Sequence, residues 1–379
     1  MFEVNDKVFK ICFVLVLIFI MQFAKGEDYV LASSNTSGTL AVYENIGVGI
    51  YPKRIISFPG IIMAKIDPIT GNVYTITKDS GIYPNFRFEA YDKSLLSGTS
   101  RASSFITSID LGVDSVINLE TANGALYIIG THYIRDVKLT DKTMYSKIVF
   151  SLSLQSSIIS ARISNDEAFI LENSNQTGGM VKVALDVYRI TPEGFIVNGR
   201  VKTFYNSEKE IAFIKLSVSQ PTPDFLYIIL PYTLSIFHHD SNSPGGYYEA
   251  VADISISFDK QLERLLEFSS FTNLVSLIKN DKAYVYIMAA NISDGIIAAY
   301  VLNPEHGYSP QSLNSYSHLE YYNGMDFVLS VYRNSLFTVD SFKNKLIHFK
   351  IDPNGKTVSS FVSDDGIVGY MPVRIGAPD

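Results

Sequence analysis

The 379-residue sequence contains no tryptophan and only one cysteine, Cys12. Without a second cysteine an intrachain disulfide is excluded, so stability must come from a large hydrophobic core. The sequence also lacks a Gly-x-Ser-x-Gly nucleophile elbow, a His-Glu-x-x-His zinc helix and a glycine-rich phosphate loop. These absences remove the most specific sequence signs of an α/β-hydrolase, a zinc protease and a nucleotide-binding enzyme.

A hydrophobic run long enough to span a bilayer is absent as well. The apolar stretch 11–23 is shorter than the roughly 20 residues that a transmembrane helix needs. It follows Lys7 and Lys10 and precedes the small residues Ala24 and Gly26, a pattern that predicts a secretory signal peptide over residues 1–26. A signal anchor is the alternative. We expect residues 27–379 to form one monomeric, secreted or cell-surface domain with no membrane span after signal removal.

The sequence has fewer basic than acidic residues. After removal of residues 1–26, 28 Lys and Arg residues oppose 36 Asp and Glu residues, a net charge of about −8. An acidic surface without basic clusters argues against nucleic acid and anionic membranes as partners. Three Asn-x-Ser/Thr sequons, at Asn35, Asn175 and Asn291, are predicted N-glycosylation sites of an exported chain.

Helical periodicity is almost absent, whereas short strands rich in Val, Ile, Tyr and Phe fill the chain. Two interleaved series repeat about every fifty residues. The first places a turn and then an aromatic residue in an apolar strand, at Tyr29, Tyr74, Tyr127, Phe169, Tyr227, Tyr284 and Phe337. The second is an alternating strand further along, centred on Tyr43, Tyr91, Val137, Tyr188, Phe237, Tyr300 and Phe349. We expect the recurring aromatics to fill the space between packed sheets.

Further strands precede and follow these pairs, for example residues 211–217 before the fifth pair, which gives four strands in each of seven units. This arrangement predicts an all-β fold, a seven-bladed β-propeller of four-stranded antiparallel blades. A short helix is predicted within residues 258–268, between the fifth and sixth units. The first unit has no strand before Tyr29, and the C-terminal stretch 370–376 has no unit of its own. We therefore predict that the C-terminal strand pairs with the N-terminal strand, 372–376 beside 28–32. Such pairing closes the ring and removes an open sheet edge.

The stretch GIIMAKIDPITGNVYTIT (60–77) resembles the repeat of the lactonase-like, or YVTN-type, seven-bladed propellers. The ending GYMPVRIGAPD (369–379), read on into DYVLAS (28–33), resembles the same motif split across the termini. The resemblance covers the whole mature chain in rhythm, with clear motifs in about three blades. It implies a possible hydrolysis of a sugar-derived lactone. No acidic, His or Arg position matches a catalytic motif of that family, so the resemblance assigns no catalytic residue.

Ligands of propellers usually bind at the mouth of the central channel. The relevant face is formed by the loops that join the second strand to the third and the fourth strand to the next blade. Candidate binding residues on that face are Asp79, His132, Glu172, Tyr232 and Asp340. If the protein is an enzyme, His132 is the candidate general base and Asp340 its electrostatic partner. Ordinary loop polarity is the alternative for all five.

The densest group of possible metal ligands is His238-His239-Asp240. It runs directly into Ser-Asn-Ser-Pro-Gly-Gly, which predicts an exposed hairpin tip, and a zinc site needs a third or fourth ligand from elsewhere. We therefore expect neither a metal nor a cofactor.

Two functions remain open. The first is a non-catalytic binding or scaffold module for an extracellular protein or glycan, or for a small molecule at the channel mouth. The second is a lactonase-like hydrolase, or an inactive relative of one. An enzyme needs an acid, a base and a cation that converge, whereas a scaffold needs an apolar patch with a polar rim. All three sequons fall in loops between second and third strands, so glycans there would leave the opposite face for protein docking.

Overall fold

The computed structural model describes residues 28–34, 37–45, 50–82, 84–112, 114–122, 124–140, 143–175, 180–211, 213–265, 270–291, 294–320, 329–332, 334–340, 345–362 and 373–376. Strands dominate, arranged as seven four-stranded antiparallel sheets. The predicted signal peptide lies outside the described residues. The predicted class and blade number are confirmed.

Each sheet is one blade, with its first strand at the channel and its fourth at the outer edge. Blade one contains β28 (Val373–Gly376), β1 (Asp28–Ser34), β2 (Thr39–Asn45) and β3 (Ile50–Ser57). Blade two contains β4 (Ile61–Ile66), β5 (Val73–Lys78), β6 (Phe86–Tyr91) and β7 (Phe105–Gly112). Blade three contains β8 (Val116–Ala122), β9 (Ala125–Gly130), β10 (Tyr133–Thr140) and β11 (Thr143–Ser151). Blade four contains β12 (Ser156–Ser164), β13 (Glu167–Asn175), β14 (Met180–Thr191) and β15 (Gly194–Ser207).

The remaining three blades follow the same order. Blade five contains β16 (Lys215–Val218), β17 (Phe225–Ile229), β18 (Thr233–His239) and β19 (Tyr247–Ser255). Blade six contains β20 (Ser270–Lys279), β21 (Lys282–Ala290), β22 (Asp294–Leu302) and β23 (Pro310–Glu320). Blade seven contains β24 (Leu329–Tyr332), β25 (Ser335–Asp340), β26 (Lys345–Ile351) and β27 (Thr357–Val362). The described helices are short: α1 (Ser94–Ser97), α2 (Arg101–Ser104), α3 (Glu208–Ile211), α4 (Lys260–Leu265), and 3-10 turns at Pro244–Gly246, Ile256–Phe258 and Pro304–His306.

The core lies between neighbouring blades. All seven first-series aromatics lie on second strands, all seven second-series residues lie on third strands, and none of the fourteen is more than 7% exposed. Successive strand residues point to opposite faces. In β13, for example, Ile170 packs toward blade three and Phe169 toward blade five. The predicted core role of the aromatics is therefore confirmed.

The seven blades are arranged in a ring. Contacts between innermost strands run from β4 through β8, β12, β16 and β20 to β24, and β28 contacts both β25 and β4. The strand β28 pairs antiparallel with β1, with Gly376 opposite Leu31 and Val373 opposite Ser34. The predicted pairing of the termini is thus present, on Leu31–Ser34 rather than on residues 28–32. No turn joins these two strands, so hairpin geometry could not fix their register from the sequence.

Irregular register is confined to the inner and outer strands of the blades. Each of the seven outermost strands forms at least one β-bulge or register shift with its third strand. The pairing between second and third strands is unbroken in all blades. Bulges twist an edge strand away from further pairing. They therefore protect the open outer edge of each blade.

Two inner strands differ from the sequence prediction. The predicted inner strand of blade five, residues 211–217, is β16 (Lys215–Val218), because the preceding Glu208–Ile211 forms helix α3 from good helix-forming residues. The inner strand of blade six, β20, was not identified from the sequence. The short helix predicted within residues 258–268 is present as α4.

Replacement of Gly60 by alanine should test how tightly the turn between blades one and two packs. Gly60 has a φ of +75°, and a Cβ there would lie 2.1 Å from the carbonyl oxygen of Lys78. We expect Gly60→Ala to lower the free energy of unfolding by about 1–2 kcal/mol for the left-handed backbone and by about 1–3 kcal/mol more for the clash. Urea unfolding followed by circular dichroism measures this loss.

Gly112 provides the matched control. Its φ is +82°, but no described atom lies within 4 Å of the position of a Cβ. Gly112→Ala should therefore show only the backbone cost. Equal losses for the two variants would contradict the close approach of Gly60 to Lys78.

Candidate active site

The five predicted site residues lie at the ends of second strands or in the loops that follow them. Asp79 follows β5, His132 follows β9, Glu172 is near the end of β13, Tyr232 precedes β18, and Asp340 ends β25. Because second strands of all blades run in the same direction along the channel, these positions share one face of the ring. The loops that join fourth strands to the next blade open on the same face.

His132 is held by Asp114, which lies in the loop between β7 and β8. The Nδ1 atom of His132 is 2.9 Å from Asp114 Oδ1, and the backbone N–H of His132 donates to Asp114 Oδ2 at 3.2 Å. The hydroxyl of Thr131 also donates to Asp114 Oδ1. Three donors from Thr131 and His132 therefore hold the Asp114 carboxylate in place, and this carboxylate in turn orients the His132 imidazole.

This pairing determines how the imidazole is presented. A carboxylate only accepts hydrogen bonds, so Nδ1 of a neutral His132 carries the hydrogen and Nε2 carries the lone pair. The side chain of His132 is 38% exposed and that of Asp114 is 21% exposed. Within the described ranges, no hydrogen bond engages His132 Nε2. This arrangement orients the imidazole and leaves its basic nitrogen, Nε2, available to a ligand or water.

A second group of charged residues lies on blade four. Arg200 on β15 binds Asp186 on β14 through two hydrogen bonds of 2.7 Å, from Nε to Oδ1 and from Nη2 to Oδ2. Its Nη2 also lies 3.4 Å from Glu172 Oε1. Burial raises the pKa of Glu172, and the charge of nearby Asp186 raises it further. Arg200 lowers it only in part, because Asp186 already binds the guanidinium.

The two groups meet at one end of the interface between blades three and four. Glu172 shares a face of β13 with Ile170, which packs against blade three. The carbonyl oxygen of Thr131 accepts a hydrogen bond of 2.7 Å from Ile158 N, and Ile158 is the register partner of Glu172. The His132 turn and Glu172 therefore lie toward the same end of this interface, and Arg200 contacts Glu172 there.

The structure gives the other predicted residues different surroundings. Asp79 is exposed and accepts from the backbone N–H groups of Gly81 and Asn85, each at 3.1 Å, so it shapes its own loop. Tyr232 is 65% exposed on the same face. Asp340 pairs through its backbone with Lys345. Its side chain lies outside the described residues, so its predicted role stays a prediction.

Asp114, Asp186 and Arg200 were missed by the sequence analysis. Asp114 lies in a loop between a fourth strand and the next blade, a class of loop already assigned to the channel mouth, so an acidic residue there could have been considered. Asp186 lies in the middle of the third strand of blade four and Arg200 in the middle of the fourth, where no sequence pattern separates them from solvent-facing charges.

The predicted hairpin tip at His238-His239-Asp240 is a tight turn in the structure. Asp240 accepts from Asn242 N at 3.0 Å and Ser243 Oγ at 2.9 Å, and the ring of His238 stacks on Tyr308 with centroids 4.5 Å apart. In the part of the chain that the structure describes, no group of three His, Cys, Asp or Glu side chains is arranged to hold a metal ion.

Two of the three sequons can be placed. Asn175 is the last residue of β13, and Asn291 directly follows β21, both on the face that carries His132. Asn35 lies outside the described residues. Their glycosylation stays a prediction.

A charged network joins the innermost strands of blades two, three and four. Arg162 Nη1 lies 2.7 Å from Glu120 Oε1, and Lys65 Nζ lies 3.4 Å from Glu120 Oε2. Asn118 Nδ2 also donates to Oε1, at 2.6 Å. The side chains of Lys65 and Glu120 are 11% and 10% exposed. Since β8 begins beside Asp114 and runs away from it, this network lies toward the other end of the channel.

Known structures of the same architecture match nearly the whole chain. A periplasmic gluconolactonase of Pseudomonas aeruginosa has 14% sequence identity and a TM-score of 0.61, with 93% of this chain and 100% of that chain covered. A candidate 6-phosphogluconolactonase of Bacteroides fragilis has 15% identity and a TM-score of 0.62, with 94% and 99% covered. The chain shares the seven-bladed propeller fold of these two proteins. A Lactobacillus plantarum protein matches this propeller with a TM-score of 0.64 at 10% identity, with 93% and 100% covered.

Sequence comparisons add nothing to this structural match. No protein-family model matches the chain, and no curated protein matches it. Among its described helices, none is long and apolar enough to cross a membrane.

Proposed function

We propose that this propeller hydrolyses small lactones at the channel mouth, with His132 as general base. The observation that carries the proposal is the hydrogen bond between His132 Nδ1 and Asp114 Oδ1, which leaves Nε2 to act on water. Two structural neighbours whose names include gluconolactonase and 6-phosphogluconolactonase support the reaction class. Glucono-δ-lactone is therefore the first substrate to test.

The chemistry requires one water molecule. His132 Nε2 takes a proton from the water as its oxygen attacks the lactone carbonyl carbon. The resulting imidazolium is stabilised by Asp114, in the way that a carboxylate stabilises the histidine of other hydrolases. Collapse of the tetrahedral intermediate breaks the bond between the carbonyl carbon and the ring oxygen. The ring oxygen then takes a proton, and the product is a hydroxy acid.

The hydrolase is favoured over the non-catalytic binding module. A scaffold needs an apolar contact area. It does not require a carboxylate such as that of Asp114 to accept three hydrogen bonds from the His132 turn and so orient the imidazole. The proposal extends to location: the predicted signal peptide and sequons, together with a periplasmic neighbour, support a secreted, N-glycosylated chain.

Substitution of His132 should separate the two functions. We expect His132→Gln to lower kcat/KM for glucono-δ-lactone by about 10²–10⁴-fold, the usual contribution of a general base. His306→Gln is the matched control, because His306 is exposed in the 3-10 turn Pro304–His306 at the other end of the blades. Proton release in weakly buffered solution measures both rates. An unchanged rate in His132→Gln would refute the assignment of the base.

A further inference from the structure

Glu172 is half-buried and shares its cation with a second carboxylate, Asp186. Its side chain is 21% exposed, and the only cation within 4 Å of it among the described residues is Arg200. That cation is bound more closely by Asp186, whose side chain is 6% exposed. Of the other charged groups that face Glu172, Lys182 on β14 acts on it from further away. Arg200 therefore balances the negative charge of Asp186 more fully than that of Glu172.

We propose that Glu172 is the general acid of the same reaction and protonates the ring oxygen as it leaves. This inference rests on the proposed function and assigns the second proton transfer. Its geometric basis is the common position of Glu172 and the His132 turn at one end of the interface between blades three and four, joined through Ile158.

The burial of Glu172 and the charge of Asp186 keep the pKa of Glu172 above its ordinary value, and so favour the protonated form. Asp186 and Arg200 act through Glu172 and are positioning residues. Asp186 holds Arg200 by two bonds and limits how strongly the guanidinium can stabilise the Glu172 carboxylate.

The proton balance closes without a co-reactant. Water gives one proton to His132 and adds its oxygen to the carbonyl carbon. The carbon–oxygen bond of the ring breaks, its electron pair remains on the ring oxygen, and Glu172 supplies the proton for that oxygen. The imidazolium of His132 then loses its proton to solvent, Glu172 regains one from solvent, and the product carboxylic acid ionises.

Two lactones with different leaving groups test the role of Glu172. Glucono-δ-lactone releases an aliphatic alkoxide, which needs a proton, whereas dihydrocoumarin releases a phenolate, which is stable without one. We expect Glu172→Gln to lower kcat for glucono-δ-lactone by about 10²–10⁴-fold and kcat for dihydrocoumarin by less than about tenfold. A merely structural role would depress both substrates equally, and that result would overturn the inference.

Glu249→Gln is the matched control. Glu249 also pairs with a cation of β15, Lys202, two positions from Arg200. It lies on blade five, and we expect both rates to stay near those of the unchanged protein. Failure of the two proposals is distinguishable. If the unchanged protein hydrolyses neither lactone, the proposed function fails; if it hydrolyses both and Glu172→Gln affects them equally, only the general acid is wrong.

The positioning role of Asp186 has its own readout. Removal of its charge lowers the pKa of Glu172, so the acid form is lost at lower pH. We expect Asp186→Asn to move the alkaline limb of the pH–kcat profile for glucono-δ-lactone to lower pH. An alkaline limb that stays in place, or moves to higher pH, would contradict the role.

Discussion

Deletion of residues 373–379 is expected to leave a chain that no longer folds into a monomeric propeller. It removes β28, the innermost strand of blade one, and with it the backbone partners of Leu31 to Ser34. Leu31 and Ser33 are fully buried in the intact ring. Each buried backbone group left without a partner costs about 1–3 kcal/mol, and a folded domain has only about 5–15 kcal/mol to lose. Size-exclusion chromatography and circular dichroism should detect aggregated or unfolded protein.

A disulfide between β1 and β28 tests the same strand pairing in a chain that still folds. Ala32 and Ile375 are register partners, and partner Cα atoms in an antiparallel pair lie about 4.5–5.5 Å apart, within the range that a disulfide spans. The sequence offers no competing cysteine except Cys12 in the predicted signal peptide. We expect Ala32→Cys with Ile375→Cys to oxidise and to raise the unfolding free energy by up to about 5 kcal/mol.

The control moves one cysteine by two residues. Ala32→Cys with Val373→Cys places the thiols out of register. If mass spectrometry finds free thiols in the variant with Ala32→Cys and Ile375→Cys, or equal oxidation in both double variants, the termini do not pair as described.

Replacement of Glu120 by alanine should produce the second large effect. Its carboxylate accepts hydrogen bonds from Arg162, Lys65 and Asn118, and links the inner strands of three successive blades. Removal of one member of a buried ion pair costs about 3–5 kcal/mol, because it withdraws the counter-charge from a desolvated partner. We expect Glu120→Ala to lower the urea midpoint accordingly, without a change in the slope of the transition.

Glu305 is a suitable control because it is exposed in the 3-10 turn Pro304–His306. Glu305→Ala should change stability by less than about 0.5 kcal/mol. The double replacement Lys65→Met with Glu120→Leu should recover much of the loss, since well-packed apolar residues often replace a buried pair without cost. Equal midpoints for Glu120→Ala and Glu305→Ala would show that the network does not contribute to stability.

The sequence predicts the blades well because their signals are local. An aromatic after a turn, as at Tyr74, followed by an alternating strand, as at Tyr91, is readable within about twenty residues. Both sets of residues are buried on second and third strands, where register is unbroken. The ending 370–376 could be identified as the closing strand because a count of four strands per unit leaves one place empty in the first unit.

The inner strands are less predictable. Four of them are irregular, since β4, β8, β12 and β20 each contain a register shift against their second strands. A shift breaks the alternation on which strand prediction depends. The register of β28 could not be predicted either, because the termini are not joined by a turn.

The sequence predicts which face carries the candidate residues but not the side chains that contact them. His132 and Glu172 could be placed on one face because loops after second strands lie on one face of any propeller. Their partners could not be found, because a side-chain hydrogen bond between residues 18 positions apart, as between Asp114 and His132, leaves no periodic trace. Asp340, the predicted partner of His132, was chosen from its place in the blade alone.

The decisive measurement is the rate at which the purified, unchanged protein opens glucono-δ-lactone, followed by proton release at constant pH against the rate in buffer alone. We predict a saturable rate that is proportional to protein concentration and that is lost in His132→Gln while the fold, by circular dichroism, is kept. A rate no faster than that of buffer, from correctly folded protein, would contradict the proposal that this propeller is a lactone hydrolase.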